Sequence, residues 1–344
     1  MVTTICMAIL LLFLGFAVLY TDSKGRMSSF FDIDTTGCMR GLWSVVILLV
    51  HTPADYQNTI QDIIGSFAYI GVTFFFMTSG YGLMLGAQRN SQSVTRGFWK
   101  RRLPKLLVPM LIVNVLRTLA VLFADNEFNP LELVSITGFV RQILFFYLVF
   151  WAVFKFLPNK MPIDIKCSII CGVIVVFSIF IYLLGENSLF GWPVESLGFM
   201  YGILLAVNKD RFIRLAKNRW LLKCFFTCCI SLAFGVAYLM FKNVAFIGDY
   251  AAKIILGFAI TLFILLLNTK LKFGNSVSRF LGNISYEFYL SHDVVFIVLA
   301  AVGGKMNSGI FVVSSVLITV IISFTVNKLS KTILNFGKLK KQTG

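Results

Sequence analysis

The sequence predicts an all-α fold, a polytopic membrane bundle of about eleven transmembrane helices. Three observations predict it. Of the 344 residues, 58% are hydrophobic and only 13% are charged, whereas a soluble domain carries roughly 25% charged residues. Too little charge remains to cover a water-facing surface, so most of the solvent must be lipid. Apolar runs long enough, or nearly long enough, to span a bilayer recur about eleven times. The loops between those runs alternate in charge, as the two sides of a membrane require.

Taken in order, the runs fall near 2–20, 38–54, 63–86, 103–123, 138–157, 165–184, 192–207, 221–241, 249–267, 281–302 and 309–329. The first lacks a basic leader and is followed by TDSKGRM, a poor cleavage site, so it reads as a retained helix. Runs 38–54 and 192–207 are short, and each carries an ionisable residue, His51 and Glu195. Short polar spans are buried by neighbours or line a cavity.

Loop 87–102 holds Arg89, Arg96, Lys100, Arg101 and Arg102, and loop 208–220 holds Lys209, Arg211, Arg214, Lys217 and Arg219. Loop 268–280 and the C-terminal tail are also basic, the tail through Lys331, Lys338, Lys340 and Lys341. Loops 55–62, 124–137 and 185–191 have no cations. The positive-inside rule then puts the basic loops and the C-terminus in the cytoplasm. Loop 21–37 follows suit through Lys24 and Arg26, although Asp22, Asp32 and Asp34 accompany them. This topology accounts for the net charge of +16, so no nucleic-acid partner is implied. The seven Cys lie in or beside apolar runs and there are only two His. That pattern offers no Cys/His metal cage.

Residues 40–51, RGLWSVVILLVH, place a cation and an imidazole on one helical stripe. Eleven steps of about 100° return to within about 20° of the start, and the rise separates them by about 16 Å. Arg40 is expected at the cytoplasmic mouth and His51 near mid-depth, towards the outer side. Ionisable groups inside a membrane segment are functional candidates. His is also the side chain best suited to move protons near neutral pH. A second constellation, WKRRLPKLLVP at 99–109, sets Lys100, Arg101, Arg102 and Lys105 at the start of a span that Pro104 and Pro109 are expected to interrupt. It reads either as a topology signal at anionic headgroups or as a phosphate clamp. A third, GVTFFFMTSGYGLMLG at 71–86, offers a small-residue packing face with Ser79 and Tyr81. A fourth, LGNISYEFYLSH at 281–292, is unusually polar for a span and carries Tyr286, Glu287 and His292. Glu195 or Glu287 is positioned to orient a His.

Together these strings resemble the membrane acyltransferase-3 family, the bacterial O-acyltransferases of surface polysaccharides. The motifs are Arg40-x10-His51, Gly71–Leu83, Arg101–Pro109 and Ile284–His292, in the family's order across most of the chain. WPVESLGFMYGILLA at 192–206 is similar to the family's later glycine-containing helix. The resemblance implies a ten-helix acyltransferase domain, 38–344, preceded by an extra N-terminal helix and loop, 1–37. It implies acyl-CoA, usually acetyl-CoA, as donor substrate, with no bound cofactor and no metal. The acceptor would be a hydroxyl of a cell-surface or lipid-linked glycan, and the location the bacterial cytoplasmic membrane. His51 and Arg40 would be catalytic, and Lys100, Arg101, Arg102 and Lys105 would bind acyl-CoA. Ser79, Tyr81, Glu195, Tyr286, Glu287 and His292 would line the pocket. One departure is Phe139-Val140 followed by Arg141, where the family commonly has an aromatic pair.

On this reading the pantetheine arm runs along the Arg40–His51 stripe, and His51 acts as general base on the acceptor. Ser79, Tyr81 or Tyr286 would donate to the oxyanion; an acyl-His intermediate is the other route. A transporter or flippase of a lipid-linked glycan or small metabolite is the alternative from a different class, and an assembly subunit a third.

Overall fold

A chain this apolar has to satisfy its backbone internally, and helices do that within each segment. The computed structural model describes residues 1–19, 27, 29–185 and 191–339. Asp22, Lys24, Arg26, Glu186, Lys340 and Lys341, and the side chain of Lys338, lie outside the described residues. Among those described, every regular element is helical. Nine helical stretches are long and apolar enough to cross a membrane, and two shorter apolar helices accompany them. The protein is a multi-pass membrane helical bundle.

In chain order the helices are α1 (Val2–Val18), α2 (Ile33–Val50), α3 (Thr59–Gly65), α4 (Ala68–Arg89), α5 (Ser91–Thr95) and α6 (Phe98–Asp125). Then come α7 (Gly138–Phe156), α8 (Ile163–Leu184), α9 (Pro193–Val207), α10 (Lys209–Lys217) and α11 (Trp220–Phe241). The last are α12 (Lys253–Asn268), α13 (Ser276–Asn283), α14 (Ser285–Gly303) and α15 (Ser308–Leu339).

Two expectations about helix limits are corrected. α2 spans 33–50 rather than 38–54. It begins early because Asp32 caps it, accepting a 2.8 Å bond from Thr35 N. It ends early because Pro53 disfavours helix at the residue before it. Arg40 therefore sits near the middle of α2, not at its mouth, and His51 is the C-cap rather than a mid-span residue. Pro104 and Pro109 lie inside an unbroken α6. Neighbouring helices can re-satisfy backbone freed by proline in a membrane.

The two ends of the bundle are each stitched together by hydrogen bonds. At the basic end, Asp34 pairs with Lys272 at 2.7 Å and with Arg279 at 2.6 Å. Asn275 Nδ2 donates to Phe16 O at 2.8 Å there. Of the acids that blurred the charge of loop 21–37, Asp32 is thus accounted for by a cap and Asp34 by ion pairs. At the opposite end Tyr56 Oη donates to Gly304 O at 2.7 Å, and Asn58 Nδ2 to Ser308 Oγ at 2.8 Å. Thr3 Oγ1 donates to Asn307 Oδ1 at 3.1 Å.

α4 and α9 form the most extensive helix pair. A Cβ at Gly80, Gly198 or Gly202 would run into the backbone carbonyl of Phe199, Thr73 or Met77 on the facing helix. Small residues let membrane helices approach to backbone contact where no hydrophobic drive separates helix from lipid. α2 and α13 meet in the same way at Gly41 and Gly282. These two close packings hold α2, α4 and α9, which carry most of the site.

Candidate active site on α2

Ile33, Thr36, Arg40, Ile47 and His51 fall on one stripe of α2 at spacings of three, four and seven residues. Ile33 and Thr36 border a cavity of about 640 Å³ at the basic end of the bundle. Ile47 and His51 border a second cavity, of about 410 Å³, at the other end. Arg40 stands between them. α4 likewise lines both, through Tyr81, Gly82 and Arg89 at the basic end and Tyr69 and Val72 at the other.

His51 Nδ1 lies 2.9 Å from the carbonyl oxygen of Ile47. A carbonyl only accepts, so Nδ1 carries the proton of the neutral ring and Nε2 is left with its lone pair. His292 packs against His51 with ring centroids 4.9 Å apart. His292 is buried, at 8% exposure, whereas His51 is exposed at the cavity rim. The chain's two histidines, 241 positions apart in sequence, thus form one pair. Glu195, in the first turn of α9, is buried and lines the same cavity as His51. So do Tyr69, whose buried Oη has no partner, and Lys253, whose ammonium lies 5.6 Å from the Tyr69 ring centre.

In mid-bundle the half-buried Arg40 leaves its Nε without a hydrogen-bond partner among the described residues. The Arg102 guanidinium sits 5.2 Å from the centres of both the Phe98 and Tyr147 rings. Neither arginine has a carboxylate within 4.0 Å among the described residues. An aromatic file leads from there to the histidines. Tyr286 Oη donates to Leu106 O at 2.8 Å, and its ring is 6.5 Å from Phe139. Phe139 is 5.1 Å from Tyr289, and Tyr289 is 5.8 Å from His292.

A match to the acyltransferase domain family of type 3 covers residues 30–328. The chain belongs to the acyltransferase-3 family. It is therefore a membrane acyltransferase. No curated protein and no solved structure matches it. The matched region begins after α1 and contains the stripe and, apart from Ser29, every residue lining the two cavities.

The acyltransferase fold divides the residues singled out from sequence into groups. His51 and Glu195 line one cavity, and His292 packs against His51. Tyr81 belongs to the other, edge-on to Phe31 at 4.7 Å. Tyr286 joins the file between them. Ser79 lies one turn from Phe75 and Phe76, which pack on Phe139 at 6.1 and 5.0 Å. Of the basic cluster, only Arg102 turns inwards; Lys100, Arg101 and Lys105 are exposed, and Arg101 reaches Ser93 O at 3.4 Å. Glu287 orients neither histidine. It accepts from Asn327 Nδ2 at 2.9 Å, on the α15 side of α14. His51 is oriented by a backbone carbonyl, not by either glutamate.

Tyr147, Arg89, Lys209, Tyr69 and Lys253 escape the sequence reading. Arg89 and Lys209 look like loop cations, and the two tyrosines like ordinary interfacial aromatics. Only the folded chain shows that Arg89 and Lys209 share a cavity with Tyr81.

Proposed function

We propose that this acyltransferase moves an acyl group, typically acetyl, from a coenzyme A thioester at its basic face to a hydroxyl of a glycan acceptor at the opposite face. The observation that carries the reading is α2. One helical stripe borders a cavity at each end of the bundle, with a carboxylate-free arginine between them and a paired histidine at the far rim. The excess of basic residues in one set of loops supports assigning that face to the cytoplasm, where acyl-CoA is made, together with the C-terminus. The bacterial cytoplasmic membrane is the setting this implies.

The donor's phosphates need cations wherever they leave bulk water. Arg89 and Lys209 in the basic cavity, then Arg40 and Arg102 deeper, supply a descending series. The pantetheine arm is uncharged and suits the aromatic file. At its end His51 Nε2 accepts the proton of the acceptor hydroxyl as that oxygen attacks the thioester carbonyl. The new C–O bond forms, the C–S bond breaks, and the proton passes from His51 to the departing thiolate. The release of a good leaving group leaves the protein mainly positioning and base catalysis to provide. His292 backs the His51 ring and limits the orientations it can take.

The test is His51→Ala assayed in membranes with radiolabelled acetyl-CoA, with surface polysaccharide analysed by mass spectrometry for the acetyl mass. Transfer should fall by about 10²–10⁴-fold, the usual contribution of a positioned acid–base group, at unchanged protein level. Wild-type turnover in the mutant would remove His51 from the mechanism.

A further inference from the structure

Arg141 has no part in the mechanism above, yet a half-buried guanidinium in the first turn of a membrane helix is costly unless it binds something. Its Nε is buried and has no hydrogen-bond partner. Two neighbours on the same turn are in the same position. Thr137 Oγ1 and Gln142 Oε1 are buried and unpartnered, and Gln142 is 0% exposed. Buried polar atoms without partners are rare in folded proteins, and three of them fall within residues 137–142.

Trp192 connects this turn to the His51 cavity. Gln142 Nε2 donates to the Trp192 carbonyl at 3.1 Å, and Trp192 lines the cavity. A Cβ at Gly138 would lie 3.4 Å from the Trp192 ring and 3.9 Å from Arg141 Nη2, so guanidinium and indole flank the same bare backbone. The cavity adds a second cation. Lys253 has no carboxylate within 4.0 Å among the described residues, whereas Lys242 is held by Asp62 at 3.4 Å. Glu195 is a carboxylate that lines the same cavity. Arg141 Nε and Tyr69 Oη are unpartnered donors and Gln142 Oε1 an unpartnered acceptor among the described residues, and Arg141 as a whole is only half-buried.

We infer that the acceptor is an acidic sugar, whose carboxylate or phosphate ester is held by Arg141 and Lys253 while its ring lies against Trp192. The inference rests on the two-sided transfer reading, since it concerns the acceptor for that reaction. A guanidinium fork suits either oxyanion, and the aromatic face suits the apolar side of a sugar ring.

Purified protein in detergent is titrated with glucuronate, glucose 1-phosphate and glucose while thermal unfolding is followed by tryptophan fluorescence. Glucuronate or glucose 1-phosphate should raise the unfolding midpoint at concentrations where glucose does not, and the more effective of the two identifies the acid. Arg141→Gln should weaken that binding about tenfold or more, the scale of one lost charge-assisted hydrogen bond. Arg141→Lys should recover part of it. If Arg141→Gln does not fold, Lys253→Gln must show the same selective loss. Equal stabilisation by glucose, no stabilisation by either acid, or acid binding unchanged in both variants would overturn the inference. Acetyl-CoA consumption by the wild type is read separately. Its absence alongside acid binding defeats the donor reading and leaves the acid site standing. Its presence with no preference for acids defeats only the acid site.

Discussion

At the scale of single residues, the imidazole of His51 is set by a main-chain oxygen one turn back, at Ile47. A C-cap residue is well placed for this, because the last carbonyls of a helix have no intrahelical donor. The ring is therefore oriented by the end of α2 itself. Arg102 shows the same reliance on local surroundings. Its charge is held between two aromatic faces and not by a carboxylate, so it stays available to an incoming anion. Arg102→Gln should raise the KM for acetyl-CoA by about 10-fold or more, the loss expected for one charge-assisted bond to phosphate, with a smaller change in kcat. Steady-state kinetics in proteoliposomes checks this. An unchanged KM would return Arg102 to the role of a topology signal.

At the scale of elements, the positions of the spans were legible in composition, because lipid imposes length and apolarity on every one of them. What was not legible was where α2 begins and ends. The residues IDTTG at its start look like loop until Asp32 caps them and Lys272 and Arg279 neutralise Asp34. Those partners lie more than two hundred positions away and leave no local trace. The pairing of His51 with His292 has the same character: each residue stood out alone, but contact between them depends on how α14 is set beside α2. Likewise Lys100, Arg101, Arg102 and Lys105 are one cluster in sequence, but about 100° per residue spreads them round the helix and only Arg102 turns inwards. The glycines of α4 were readable as a packing face, though not that their target is α9. Gly198→Leu should force the helices apart at Thr73, costing about 1–3 kcal/mol or more. It should lower the yield of folded protein in size-exclusion chromatography. Full retention of yield and activity would mean the α4–α9 approach is looser than described.

At the scale of the whole molecule, two cavities sit at opposite ends of the bundle and share helices. On the two-sided transfer proposed above, this makes the nucleotide half of the donor and its thioester end separable in experiment. Gly82 lines the basic cavity, and a Cβ there would meet nothing within 4 Å. Gly82→Phe should therefore project its ring into the cavity. It should raise KM for acetyl-CoA while leaving transfer from S-acetyl-pantetheine nearly unchanged. Equal effects on both donors would place the nucleotide elsewhere.

The file of Tyr286, Phe139, Tyr289 and His292 that lies between those cavities has an electrical consequence. A water-filled passage joining two aqueous cavities across a membrane would conduct protons and salts and drain the membrane potential, worth about 2.3 kcal/mol per elementary charge per 100 mV. Closely spaced, mutually tilted rings pass no hydrated ion. A slender uncharged arm can lie along such a file where a charge cannot. The same side chains that would guide a neutral thioester thus serve as insulation, and the protein can open to both sides without short-circuiting the membrane that holds it.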